Sequence, residues 1–545
     1  MASTNSYLFI SIIFFLSLTF LANANIHRND QNSTIEAMIL QACHKIKDQD
    51  TCLSNMHSRI GGDARRNPNS VLRAALHHAM NQTRASADAL ADFNTLSISR
   101  REQIAVDDCR ELLDFSVSEL GWSLGEMARI RAGRKTPRSD GHLRAWLSAA
   151  AGNQDTCLDG FEGTDRRLER FVRGSLSQVT QLISNVLTLY TEMHAMPFRP
   201  AAPPPENFTV EENDGVFPNW MTDGDKELLV GRDGDRRMQV DAVVAADGSG
   251  DYRTVAQAVA GAPSYSNRRY VIYVKEGVYH ENVDMKKKKT NIMMIGDGAG
   301  KTVLSGDRNF LQGWTTFRTA TLAVSGKGFI ARDMTFRNTA GPENRQGVAL
   351  RVDSDQSAFY RCSMEGYQDT LYAHSLRQFY RECSISGTID FIFGNGAAVL
   401  QNCRIFTRQP LPLQKVTITA QGRKDPHQST GFVVQDSFVY ATRPTYLGRP
   451  WKQFSRTVFL NTYMTAMVQP RGWLEWNGDF ALSTLWYGEY RNYGPGAAVA
   501  GRVRWPGYHV ISDSATAGFF TVGKFLDGMT WLPATGVRFT AGLRT

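Results

Sequence analysis

Several signatures are missing from this sequence, and each absence removes a class of chemistry. There is no Gly-x-Ser-x-Gly elbow, no His-Glu-x-x-His and no Cys-x-x-Cys, so a serine hydrolase of the elbow type and a zinc enzyme lack support. Beyond Leu21 no apolar run approaches the roughly 20 residues needed to span a bilayer. The glycine-rich stretch Gly296-Asp297-Gly298-Ala299-Gly300-Lys301-Thr302 follows a strand-like run, Ile292 to Ile295, as a phosphate loop would. The loop motif needs glycine where Ile295 stands, however, and no amphipathic helix follows. Helical periodicity fades after Val240, except near Val255 to Ala262, which argues against a doubly wound sheet. Cysteine is scarce, seven in 545 residues, so the chain must fold on its apolar core.

What is present divides the chain. An apolar run from Tyr7 to Leu21 ends in Ala22-Asn23-Ala24, the length and small-residue exit of a secretory leader, giving 1–24 as a signal peptide and no stable membrane anchor. Sequons at Asn32, Asn81 and Asn207 suit that route as glycosylation sites. Residues 25–195 read as helices: Ser70 to Leu90, Ser99 to Ala132 and Leu168 to Met193 repeat apolar positions at three and four residues, as in an antiparallel four-helix bundle. Cys43 with Cys52, and Cys109 with Cys157, are candidate staples in an oxidising compartment. Five prolines between Pro197 and Pro205 open a polar linker, 196–237. Its basic stretches Lys226-Glu227-Leu228-Leu229 and Arg236-Arg237-Met238 are candidate sites for a processing protease.

From Met238 onward the charge is +12, whereas the rest of the chain is −4. A basic half beside an acidic one suits mutual docking or a polyanionic partner. A secreted chain without a nucleic-acid-binding motif argues against nucleic acid and for an acidic polysaccharide. The run Lys286 to Lys289 reads as a solvated loop.

This basic half, 238–545, consists of short β-branched runs between Gly, Asn and Asp: Tyr270 to Val274, Asn291 to Ile295, Ala320 to Val324, Gly347 to Val352, Val416 to Ala420, Gly431 to Gln435 and Thr457 to Asn461. Within it Phe359-Tyr360-Arg361-Cys362-Ser363 is echoed by Phe379-Tyr380-Arg381-Glu382-Cys383-Ser384 and, more faintly, by Val399 to Cys403. The cysteines are 21 and 20 residues apart, the length of one coil of a parallel β-helix. Asp369 lies seven residues after Cys362 and Asp390 seven after Cys383, while the next place in the series holds Pro410. Stacked coils put the two carboxylates about 4.8 Å apart. Two carboxylates that close do not both ionise freely, so one becomes an acid and the other stays a nucleophile, held by a cationic partner. The competing reading is a pair of ordinary turn aspartates.

Around these aspartates, Tyr367-Gln368-Asp369-Thr370-Leu371-Tyr372 and Ile389-Asp390-Phe391-Ile392-Phe393-Gly394-Asn395 resemble plant pectin methylesterases. The likeness continues through Gly277-Val278-Tyr279-His280-Glu281, Asn338-Thr339-Ala340-Gly341-Pro342, Tyr446-Leu447-Gly448-Arg449-Pro450-Trp451, Gly472-Trp473-Leu474-Glu475-Trp476 and Trp505-Pro506-Gly507-Tyr508. The helical half is similar, through its four cysteines, to the inhibitor domain of that family. The resemblance implies a right-handed parallel β-helix after an all-α domain, and hydrolysis of galacturonate methyl esters in pectin homogalacturonan without metal or cofactor, in the cell wall. It also implies that the chain's own inhibitor-like domain is a partner. By position, Asp390 matches the nucleophile, Asp369 the general acid and then base, and Gln368 and Gln346 the amides that stabilise the anionic intermediate; Arg449, Trp451 and Thr316 match substrate contacts. The family's cysteines at the places of Thr335 and Ser437 are lacking here, and Glu227 stands in its usual dibasic processing site. Coil stacking alone lets Cys383 pair with either neighbour; the family pattern implies a Cys383–Cys403 bridge and a free Cys362. Two rival readings are an idle wall-binding module and a lyase or polygalacturonase on the same fold. Intact Asp369, Asp390, Gln368 and Arg449 weigh against the first, and the lack of a calcium-type carboxylate cluster or an Asp-pair-with-His cluster against the second.

Overall fold

The computed structural model describes residues 33–61, 67–95, 99–194 and 240–544. The expected leader, Asn32, Asn207 and the linker with its basic stretches lie outside these residues. In the helical half, α1 (Gln49–Gly61), α2 (Pro68–Ala89), α3 (Arg100–Arg131), α4 (Ser139–Ala150), α5 (Asn153–Asp159) and α6 (Arg167–Met193) follow helical residues 33–42. Asn67 caps α2 ahead of Pro68, and Ser99 with Glu102 closes a reciprocal capping box on α3. α2 packs against α1, α3 and α6, while α3 packs against α4 and α5. Disulfides Cys43–Cys52 and Cys109–Cys157 form as their spacing suggests. Asn81 lies exposed on α2.

The second half is a parallel β-helix of three sheets with 11, 7 and 8 strands, every pairing parallel. Seven coils, from the one that begins at Tyr270–Val274 to the one that ends at Thr445–Gly448, give one strand to each sheet, and the end coils give fewer. Arg377–Arg381, Ser384–Gly387 and Ile392–Gly394 make one coil, and Ala397–Gln401, Arg404–Thr407 and Val416–Gln421 the next. At one corner a column of left-handed residues, Asp333, Arg361, Glu382, Asn402, Asp436 and Asn461, turns the chain with φ between 47 and 58°. Its apolar side chains face inward in one continuous core running from Ala242 to Val503. The helix Val255–Gly261 packs at the first coil, and the C-terminal segment packs on the outer face of the 11-stranded sheet.

Four sequence readings are sharpened or changed here. Letter-for-letter alignment of the two Phe-Tyr-Arg motifs is out by one residue: Phe359 pairs with Tyr380, their rings stacked at 5.0 Å, while Phe379 faces outward toward the C-terminal segment. The extra residue, Glu382, restores register at the cysteines. Cys383 and Cys403 do not bridge; they and Cys362 are buried free thiols. In-register neighbours on parallel strands hold their Cα–Cβ bonds side by side at about 4.8 Å, whereas a bridge needs Cβ atoms converging to about 3.8 Å. Each thiol instead points at a backbone carbonyl, Cys383 Sγ 3.4 Å from Phe359 O and Cys403 Sγ 3.4 Å from Tyr380 O. Third, Pro410 does not continue the aspartate column. Residues 408–415 loop out, and Thr417 takes that place in the stack. Fourth, the lysine run is not a solvated loop: Lys286 and Lys287 pair with Glu111 and Glu119 of α3, and Lys289 donates to the carbonyls that end Val255–Gly261.

Candidate active site

Five consecutive strands of the seven-stranded sheet, Leu350–Val352, Leu371–Tyr372, Ile392–Gly394, Val416–Gln421 and the edge strand Thr445–Gly448, lie in that order. The site forms along one edge of them. Gln346 precedes the first, Gln368 and Asp369 the second and Asp390 the third, while Arg449 follows the last. Leu371 opposes Ile392, which brings Asp369 and Asp390 to equivalent places on adjacent coils. Gln346 and Gln368 face each other across the coil before. Both aspartates have positive φ, 64° and 51°, so the backbone turns there and aims both side chains out of the core. Such strained positions recur at functional sites.

The two carboxylates sit in opposite environments. Arg449 grips Asp390 as a fork, Nε 2.9 Å from Oδ1 and Nη2 2.6 Å from Oδ2. Thr417 adds a hydroxyl donor to Oδ1 at 2.6 Å and accepts the Asp390 N–H at 2.9 Å. Asp369 is only 8% exposed and pairs with no such cation among the described residues. Its burial, then the Asp390 carboxylate and Glu162, push its carboxyl well above the usual range, against the pull of Arg449. Arg449 keeps its charge because Asp390 outweighs the effect of burial, and its guanidinium lies 4.4 Å above the Trp476 ring. The site therefore sets a carboxyl clasped by a guanidinium beside one whose burial favours its protonated form.

Of the other expected residues, Gln346 and Gln368 are half-buried at the pair, and Gln346 Oε1 has no hydrogen-bond partner among the described residues. Thr316 opens the short turn Thr316–Arg318 two coils away. Trp451 packs edge-on against Phe393, which stacks on Tyr372. Thr417 was invisible in sequence because the 408–415 loop hides its register, and Trp476 stands in a quoted motif without a signal of contact to Arg449.

The helical half covers this sheet. Phe161 and Leu158 share one apolar cluster with Phe317, Val348, Tyr372 and Phe393. Thr156 Oγ1 meets His374 Nε2 at 2.9 Å, Lys452 binds Asp159 at 2.9 Å, and Trp146 donates to Asp355 at 2.9 Å. Glu162, in the turn after α5, brings a carboxyl within the field of Asp369 and within hydrogen-bonding reach of the Gln346 side chain.

Comparison with known proteins agrees with this division. The pectinesterase family model matches residues 241–529, and the plant invertase/pectin methylesterase inhibitor model matches 37–189. A pectinesterase/pectinesterase inhibitor of Arabidopsis thaliana is 59% identical over 94% of each chain, and one of Prunus persica, PPE8B, is 51% identical over 84% of each. Carrot pectin methylesterase, a solved structure, is 54% identical with a TM-score of 0.56, its whole chain matched by 57% of this one. With this fold, this match over more than half its length and relatives alike along nearly all of it, the chain belongs to the pectinesterase family.

Proposed function

We propose that this pectinesterase cleaves galacturonate methyl esters by aspartate chemistry and that its helical half holds the site closed. The carrying observation is the asymmetry of the pair: Asp390 is clasped by Arg449 and Thr417, and Asp369 is driven toward its neutral form. Asp390 attacks the ester carbonyl, and the oxyanion accepts hydrogen bonds from the Gln368 and Gln346 amides. Collapse breaks the bond to the methoxy oxygen, which takes the proton of Asp369 and leaves as methanol. The acyl group remains on Asp390 as an anhydride. Asp369, now a carboxylate, takes one proton from a water whose oxygen attacks the galacturonyl carbon of the anhydride; the bond from that carbon to the Asp390 oxygen breaks, Asp390 leaves as its carboxylate, Asp369 is again protonated, and the galacturonic acid gives its remaining proton to solvent. Arg449, Trp451 and Thr316 line the groove for the polymer, whose compartment is the plant cell wall.

The helical half supports closure because Phe161, Leu158 and Glu162 lie over Tyr372, Phe393 and Gln346, where substrate must enter. The β-helix can be studied alone: its core draws only on residues beyond 240, and the carrot enzyme consists of the matching region by itself. Methanol release from pectin by residues 238–545 should be abolished in Asp390→Asn and in Asp369→Asn. The intact chain should be much slower than the fragment. Wild-type turnover in either variant sinks the catalytic assignment, and equal rates for chain and fragment sink closure.

A further inference from the structure

Two to three coils before the catalytic pair, the β-helix carries a group of cations already occupied by carboxylates. Arg318 binds Asp108 through Nε, Glu111 through Nη2 and Asp284 through Nη1, the last at 3.1 Å. Lys286 Nζ lies 2.8 Å from Glu111 and 2.7 Å from Asp284. Thr315 Oγ1 adds a donor to Asp108 at 2.5 Å. Beside them Trp314 is covered on its ring by Arg100 at 5.1 Å and by Arg308 at 4.4 Å. Asp108, Glu111 and Arg100 all belong to α3, whereas Arg318, Lys286, Thr315, Trp314 and Arg308 belong to the β-helix. Removal of α3 leaves Arg318 and Lys286 sharing Asp284 alone, with one face of Trp314 uncovered.

We propose that this group, Arg318, Lys286 and Thr315 beside Trp314, is a subsite for the carboxylates of already demethylated galacturonate, and that Asp108 and Glu111 of α3 occupy it as stand-ins in the intact chain. The proposal rests on the esterase reading above and adds to it a preference for acidic neighbours of the cleaved ester. Three features fit the ligand. The two carboxylates held by the Arg318 fork are three residues apart on α3, about 4.5 Å along its axis, and so present anions in a row as a polyuronate does. A guanidinium fork with an ammonium and a hydroxyl recognises carboxylate geometry, which a methyl ester lacks. The strand carrying Asp284 lies three strands from that of Leu371 in the same sheet, about 14 Å at 4.8 Å per strand, on the path a polymer follows along the coils. A stretch demethylated by one turnover thus comes to rest where it assists the next.

The test uses residues 238–545 and a fully demethylated galacturonate oligomer, with affinity read by calorimetry, and KM read separately on highly methylated and on half-demethylated pectin. Arg318→Gln and Lys286→Gln should each weaken oligomer binding roughly tenfold, as expected for a lost charge-assisted contact. KM should rise much more on the half-demethylated polymer than on the methylated one. Arg318→Lys, which keeps the charge without the fork, should fall between. Lys286 is half-exposed and its removal threatens no core, so it keeps the test valid if Arg318 variants fold poorly. Oligomer affinity unchanged in Lys286→Gln, or KM rising equally on both polymers, overturns the subsite. Methanol release by the unaltered fragment reports separately on the esterase reading, because oligomer binding does not require turnover.

Discussion

Thr417→Val probes how Asp390, the proposed nucleophile, is aimed. Valine has the shape of threonine, so the change removes the hydroxyl with little effect on packing. Two hydrogen bonds go with it, the Asp390 N–H to Oγ1 at 2.9 Å and Oγ1–H to Asp390 Oδ1 at 2.6 Å. An orphaned buried N–H costs about 1–3 kcal/mol, and a bond to a charged group is worth about 1.5–3 kcal/mol. Because Arg449 still holds both carboxylate oxygens, the sum lies near the lower bounds, about 3 kcal/mol. At roughly 2 °C per kcal/mol for a domain of this size, the melting temperature of residues 238–545 should fall by about 6 °C. With one of its holds gone the carboxylate wanders from its attack geometry, and kcat should fall about tenfold with KM little changed. Thr417→Ser keeps the hydroxyl and should restore most of both losses. Calorimetry and methanol release on the three proteins decide it. A valine variant with kcat within about twofold of the parent would show that Thr417 does not position Asp390.

Asp369→Asn, which the proposed mechanism makes inactive, should be more stable than the parent near neutral pH. The folded protein raises the Asp369 carboxyl, so the associated stability is complete below the unfolded value, about 3.9, and is lost as pH rises through the folded one. The variant's advantage in melting temperature should therefore shrink as pH falls toward about 4; an equal or lower melting temperature at every pH refutes it. For the thiols, a maleimide should label none of the three β-helix cysteines in the native intact chain and all three after unfolding. Non-reduced peptide mapping that found Cys383 joined to Cys403 would refute this.

Legibility in the sequence depended on whether a residue's role was set locally. The strands Tyr270–Val274 and Gly431–Gln435 match their sequence bounds because a short β-branched run closed by polar turns fixes itself. The register of Asp369 over Asp390 was readable because their coils have equal length, 21 residues. Thr417 lies 27 residues after Asp390, and only the three-dimensional stack reveals that 408–415 loops out. The lysine run failed for a different reason. Its partners Glu111 and Glu119 stand some 170 residues away on another domain, so no local pattern could distinguish a docked lysine from a solvated one. The cysteine pairing failed because equal spacing puts thiols side by side, and side by side is the wrong direction for a bridge.

The carboxylates at the interface between the halves carry a pH dependence whose sign follows from their shifts. Asp108, facing Arg318, Arg351 and Thr315, is raised by burial. Glu119, facing Lys287, Asn153 and Asp353, is likewise raised by burial, as is Asp159, facing Lys452, Asp155 and Lys424. Glu111 goes the other way: burial works against its charge, but Arg318 and Lys286 outweigh it. With the β-helix removed, these side chains lose the surface that buries them and return toward the ordinary carboxylate range, about 3.9 to 4.3. His142 and His374, lowered by burial and by neighbouring cations such as Arg377 and Arg351, give up protons on docking, whereas three of these four carboxylates take them up. The linked stabilisation is complete below the undocked values and is lost as pH rises through the docked ones. Ion pairs that must be desolvated add little net affinity. The apolar cluster around Phe161, Tyr372 and Phe393 supplies the remaining attraction, and it does not titrate. Glu119→Gln isolates the carboxylate share: methanol release by the intact chain, divided by that of residues 238–545 at each pH, should climb more steeply with pH between about 4.5 and 7 in the parent than in the variant. The division cancels the titration of the proposed catalytic pair. Equal slopes, or a steeper variant, mean that the buried Glu119 carboxyl does not govern release of the site.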